Sequence, residues 1–148
     1  MSLIITSDES ISIDKNLEDR LHKIVELILI EEDSRNSEIN LRLMNNKEIQ
    51  ALNAEFRNKD RPTNVLSFPN EDISSKFTNN LGDIAISCEY VEKEAEDEGK
   101  TFDEHIIHML AHGVYHILGY DHINNELAMI MEKKEINILK KVNINNPY

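Results

Sequence analysis

Residues 108–122 read HMLAHGVYHILGYDH and carry four of the six histidines in the chain. At about 100° of rotation per helical residue, His105, His108, His112 and His116 fall within a sector of about 80° on one face. Phe102, Ile106, Met109, Leu110, Val114 and Ile117 occupy the rest of the surface. A helix that is apolar nearly all round has no side to offer water, so it belongs at the centre of the fold. Thr101 and Glu104, in T-F-D-E, form a capping box at its start. Gly119 is able to adopt the left-handed backbone that stops the helix and reverses the chain.

The elements that cover this helix are legible on either side of it. Residues 3–6 and 11–13 read as short strands. Asp14 caps a helix running to about Glu32, in which Leu17, Leu21, Ile24, Val25, Ile28 and Leu29 recur at helical spacing. Residues 38–44 alternate apolar and polar side chains, the period-2 pattern of a half-buried strand. Asn45 caps a short helix over 47–57, and Pro62 precedes a strand over 64–68 that closes at Pro69. Residues 70–80 are polar and read as a loop, 81–87 as a strand, and the acidic helix that follows ends at Gly99. A last helix over about 126–142 places Leu127, Ile130, Met131, Ile136 and Leu139 on its apolar side. The ββ start and short connections predict an α+β fold: a single domain over residues 1–148, with a mixed sheet of about four strands packed against four to five helices.

Burying several imidazoles at the centre of a fold is costly unless each ring finds a partner, and one metal ion can satisfy two or three together. His112 and His116 lie one turn apart, about 6 Å along the axis, close enough to share an ion held at about 2.0–2.1 Å from each nitrogen. The turn at Gly119 can bring His122 to the same ion. The resulting H-x-x-x-H-x-x-G-x-x-H spacing is that of the metzincin zinc site. Three protein nitrogens leave a fourth position open, the arrangement of a catalytic rather than a structural zinc. The alternative is a set of core histidines satisfied by other groups. His108 reads as a supporting or structural residue, His105 and His22 as structural or surface ones, and Cys88 as a small apolar residue.

Zinc proteases of this spacing carry, directly after the first ligand, a glutamate that takes a proton from the attacking water. Here that position is Gly113, which cannot do so. Peptide or amide hydrolysis therefore loses ground. Phosphoryl transfer instead requires a cation to polarise the phosphodiester, and guanidinium or ammonium groups to hold charge on its oxygens. Arg57 is the candidate for that role, with Lys59 and Arg61 beside it; a surface arginine is the alternative reading. Asp83 or Asp121 can orient a ligand histidine, although a cap or turn contact explains either.

The net charge of −12, with 28 acidic against 16 basic residues, argues against strong non-specific attraction to polyanions. It does not exclude a nucleic-acid substrate, because a local basic patch such as Arg57, Lys59 and Arg61 can act beside an active site where the whole molecule repels. The one cysteine cannot form an internal disulfide, and no long apolar run suggests a membrane span, so a reducing cytoplasm is the expected setting.

Three blocks of the chain resemble the YbeY-type bacterial endoribonucleases of rRNA maturation: LNAEFRNKDRPTNVLSFP (52–69), LGDIAIS (81–87) and HMLAHGVYHILGYDH (108–122). The last block is the most specific, joining the zinc spacing to glycine after the first ligand and to a final G-Y-D-H. The resemblance implies an α+β metalloprotein with zinc held by His112, His116 and His122, and cleavage of single-stranded RNA in the maturation and quality control of ribosomal RNA. It further implies that Arg57 matches the family's functional arginine. The family's usual P-T-D-V-L-S-F-P is altered here at Asn64, which replaces a carboxylate with an amide. Other imidazole-binding metals, namely nickel, copper or iron, suit the same ligands. A ribosomal protein or assembly factor is a possible partner, and an assembly or RNA-chaperone factor whose metal only fixes the fold is the non-enzymatic alternative.

Overall fold

The computed structural model describes residues 2–70 and 79–148. Among these, four strands form one sheet: β1 (Leu3–Ser7), β2 (Glu38–Met44), β3 (Val65–Pro69) and β4 (Asn80–Ser87), in the order β1-β2-β4-β3. β1 and β2 are parallel, with Ile5 opposite Leu41, because helix α1 (Lys15–Glu31) carries the chain back between them. β2 and β4 are also parallel, with Leu41 opposite Ile84, whereas β3 runs antiparallel to β4, with Leu66 opposite Ala85. The sheet is thus mixed, as the sequence predicts, but its one antiparallel pair is β3–β4 and not a ββ start.

Residues 11–13 form no strand. Ile11 and Ile13 pack half-buried against the core as an extended lead-in to α1. Two isoleucines separated by one serine carry a period-2 signal, but packing alone satisfies it and no ladder is needed. The loop expected over 70–80 lies mostly outside the described residues.

Period 2 along β4 assigns the two faces of the sheet. Ile84 and Ile86 join the large core with Ile39, Leu41, Leu43 and the buried side of α1. Ala85 joins a smaller cluster with Met44, Leu66 and Ile49 of α2 (Asn46–Arg57). The N-caps are local and follow from the sequence: the Asp14 side chain accepts from Leu17 N at 2.8 Å, and Asn45 from Glu48 N at 2.9 Å. Helix α3 (Cys88–Glu98) ends on Gly99, and α4 (Phe102–Ile117) starts at Thr101, whose hydroxyl accepts from Glu104 N at 3.1 Å.

Helix α4 is the histidine helix, and it is central. Ile106, Leu110, Ala111, Val114 and Tyr115 are fully buried. Each large apolar side chain so placed contributes about 1.5–3 kcal/mol relative to exposure. Helix α5 (Asn125–Lys140) departs from its reading: it buries Met131, Glu135, Ile138 and Leu139, while Leu127 and Ile130 face solvent. The helix is rolled so that a glutamate points into the core, and its partners there explain why. No helix among the described residues is long and apolar enough to cross a membrane.

Candidate metal centre

Helical geometry alone brings His112 and His116 together. Their Nε2 atoms lie 3.1 Å apart. His122 arrives by the turn: Gly119 has φ +103, and Tyr120 N donates to Tyr115 O at 3.0 Å. That turn is pinned from outside. The Tyr120 hydroxyl donates to Glu32, which also binds Lys134 Nζ at 2.9 Å, joining α1 and α5 to the loop. Burial acts to raise the Glu32 carboxyl, but the bonds from Tyr120 and Lys134 outweigh it and hold the group below its ordinary value. The His122 ring consequently sits 5.5 Å from that of His112 and 4.9 Å from that of His116, and one nitrogen from each of the three lies within 4.8 Å of the others.

The outer ring nitrogens decide what the inner ones can do. His112 Nδ1 donates to Glu135 Oε2 at 3.2 Å, and His116 Nδ1 donates to Tyr120 O at 3.1 Å. With the proton on Nδ1, each neutral ring presents an Nε2 lone pair, and the two lone pairs face each other. Burial, followed by the nearby His112 and His122 rings, holds His116 below its ordinary pKa, so the neutral form is favoured. Two nitrogens bound to one tetrahedral zinc would lie about 3.3 Å apart. The 3.1 Å approach of two acceptors therefore fits a shared cation, and three imidazoles suit zinc or another late first-row metal.

Glu135 orients His112, and no motif announced it. It is fully buried on α5. Its Oε1 accepts from His108 Nε2 and from the Tyr148 hydroxyl, both at 2.7 Å, and its Oε2 from His112. Burial pushes the carboxyl up, but these hydrogen bonds together bring it down to about 2. It is thus an ionised acceptor with both oxygens engaged. The sequence does hold a signal: Glu135 stands four residues after Met131 and four before Leu139, inside the apolar stripe of its helix. Neither aspartate proposed for this orienting task performs it. Asp83 accepts from Asn40 Nδ2 at 3.0 Å on the sheet, and Asp121 accepts from His122 N at 2.7 Å, a turn contact.

The three histidines open into a cleft of about 830 Å³ that Arg57, Lys59, Arg61 and Lys100 also line. Arg57 ends α2, where Asn58 takes the left-handed cap conformation. Its Nη2 donates to Ser67 O at 2.9 Å, and its guanidinium stands 5.9 Å from the centre of the Phe68 ring. Also lining the cleft, Glu94 Oε1 accepts from His105 Nε2 at 2.6 Å and from Asn64 Nδ2 at 3.0 Å. The amide at position 64 is thus a donor to a carboxylate, a contact that an aspartate there would turn into repulsion. His22 stands apart, 4.0 Å from Glu18. Cys88 is partly buried, and burial, then Glu92, pushes its thiol up to about 11, so it is not a nucleophile.

Gly113 answers to packing. A Cβ at this position would lie 3.1 Å from both Ile84 Cδ1 and Ser67 Oγ, and that hydroxyl donates to Gly113 O at 3.2 Å. The residue faces β3 and β4, where even a Cβ would press on both neighbours. Gly113→Glu is expected to destabilise the fold by about 3 kcal/mol or more through overpacking and a buried unpaired charge, without conferring peptidase activity. Thermal melting and a peptide assay check this; a stable variant that hydrolyses peptides would show that the position faces the site.

Comparison with known proteins bears on this geometry. The model of the family described as Endoribonuclease YbeY matches residues 3–143. A relative named endoribonuclease YbeY from Colwellia psychrerythraea is 47% identical over 111 residues, covering 75% of this chain and 72% of its own. One of the same name from Francisella tularensis subsp. novicida is 40% identical over 138 residues, covering 88% and 83%. A protein of Thermotoga maritima with a known solution structure superposes with a TM-score of 0.63 at 27% identity, covering 95% of this chain and 91% of that one.

Proposed function

The chain belongs to the endoribonuclease YbeY family, and from that premise we propose that it is a zinc-dependent endoribonuclease that cleaves single-stranded RNA in the maturation and quality control of ribosomal RNA. The observation that carries the reading is one cleft holding both a three-imidazole cluster and Arg57. In this reading His112, His116 and His122 hold the ion, which when bound would supply a Lewis acid for the scissile phosphodiester. Glu135 and the Tyr120 carbonyl keep the rings of His112 and His116 in the tautomer that presents Nε2. Arg57 grips a phosphate oxygen with the guanidinium donors not spent on Ser67 and stabilises charge developing there.

The net charge of −12 opposes loose binding along RNA, so affinity has to come from the local cations Arg57, Lys59 and Arg61 and from a protein partner in the ribosome or its assembly machinery. Ribosomal RNA as substrate makes the cytoplasm the working compartment. Peptide hydrolysis finds no support: Gly113 packs on the sheet, and Glu135, the carboxylate bonded to His112, has both oxygens occupied.

The test is direct. Zinc-loaded protein is incubated with single-stranded RNA, beside chelated protein and His116→Ala. Cleavage confined to the zinc-loaded wild type is expected; equal cleavage by His116→Ala, or none by any sample, overturns the reading.

A further inference from the structure

We propose that Tyr148 is a substrate-binding residue whose ring forms a stacking platform for a nucleobase of single-stranded RNA in the cleft. The inference rests on RNA being the substrate, and it adds a recognition element that the metal centre and Arg57 do not provide. Tyr148 lines the same cleft as the three histidines and Arg57, and it is 58% exposed. A single exposed aromatic is ordinary on a protein surface, but one held rigid over a polar cleft is not.

Contacts of the side chain and of the backbone around it hold this residue in place. Its hydroxyl donates to the buried Glu135 Oε1 at 2.7 Å. Its ring forms a T-shaped pair with the His108 ring, 5.4 Å between centres and nearly perpendicular at 88°. Tyr148 N donates to Asn146 Oδ1 at 2.9 Å, and Lys100 Nζ donates to the neighbouring Pro147 O at 3.1 Å. The polar tip is therefore spent on the protein interior, and what remains for the cleft is apolar ring surface, already ordered before any ligand arrives. Unpaired bases stack on such rings largely without regard to sequence, since every base has a π face. A paired base has both faces covered, so the same platform favours single strands. Because Glu135 also holds His112, the platform is coupled through one carboxylate to the metal centre.

The experiment separates the ring from its hydroxyl. Zinc-loaded wild type, Tyr148→Phe and Tyr148→Leu are titrated with a short nuclease-resistant single strand, 2′-O-methylated with phosphorothioate links, carrying the fluorescent base 2-aminopurine. Zinc content is measured alongside, and KM and kcat on unmodified RNA are determined. Wild type and Tyr148→Phe should quench the fluorophore and bind within about twofold of each other, whereas Tyr148→Leu loses the quenching and at least about fivefold in affinity, the low end for a base–aromatic stack. On RNA the leucine variant should show a raised KM with kcat little changed. Binding and quenching by Tyr148→Leu equal to wild type overturn the proposal, as does equal impairment of Tyr148→Phe and Tyr148→Leu, which would make the hydroxyl bond to Glu135 the whole role. A wild type that neither binds nor cleaves any RNA removes the proposed function itself, and the platform falls with it.

Discussion

Arg57→Ala is expected to keep its full complement of metal and to cleave single-stranded RNA about 10²- to 10³-fold more slowly than wild type, the cost of removing one preorganised group that stabilises charge. Arg57 lies on α2, outside the histidine helix and its turn, and its guanidinium bonds Ser67 O and stands near the Phe68 ring. It is exposed at the cleft, so its loss leaves no buried group unsatisfied and the fold should be little affected. His112→Ala makes the contrast: it removes one of the three nitrogens and also deprives Glu135 Oε2 of its donor, so metal and activity should be lost together. Metal analysis beside kcat/KM for both variants separates the roles. Arg57→Lys should recover only part of the rate, because an ammonium cannot reproduce the planar fork of donors. Wild-type cleavage by Arg57→Ala would remove the arginine from the chemistry.

Glu135→Leu is expected to lower the melting temperature by about 10 °C or more, because it strands three donors at once. His108 Nε2, His112 Nδ1 and the Tyr148 hydroxyl all point at this one carboxylate. A buried group left unpaired costs about 1–3 kcal/mol, and the two histidine donors carry most of that cost, because Tyr148 is exposed and can turn its hydroxyl to water; that cost is a large part of the roughly 5–15 kcal/mol that separates folded from unfolded domains. Glu135→Gln keeps the volume and one acceptor oxygen but loses the charge and turns the other acceptor into a donor facing an N–H. It should stay folded and bind zinc about 10- to 100-fold more weakly, the range for loss of a group that orients a metal-bound histidine. Thermal melting and competitive zinc titration provide the readings. A leucine variant that melts with wild type and binds zinc equally would show that Glu135 is only a filler of the core.

How much of this was open to reading depends on the distance over which each feature is decided. The caps Asp14, Asn45 and Thr101 act on amides three residues ahead, so they are written where they operate. His112 and His116 meet because they are four apart on one helix, and His122 joins them through a three-residue turn after Gly119. The strands 38–44 and 81–87 show their period within their own length. Features set by contacts across the sequence were misread or missed. Leu127 and Ile130 fit the apolar stripe of α5 as well as Met131 does, but the helix rolls to place Glu135 on His108 and His112.

The sequence by itself determined that a metal-competent histidine cluster would sit on a central, nearly all-apolar helix, because helical pitch and hydrophobic burial are local and periodic. It also showed that the protease base is absent. Only the tertiary structure decided why Gly113 stands there, against Ile84 and Ser67, and which group orients His112. It likewise brought Arg57 and Tyr148 into one cleft with the histidines. Those pairings span 23 to 91 residues of chain, where spacing carries no signal and the outcome depends on which buried donors find acceptors when the helices pack.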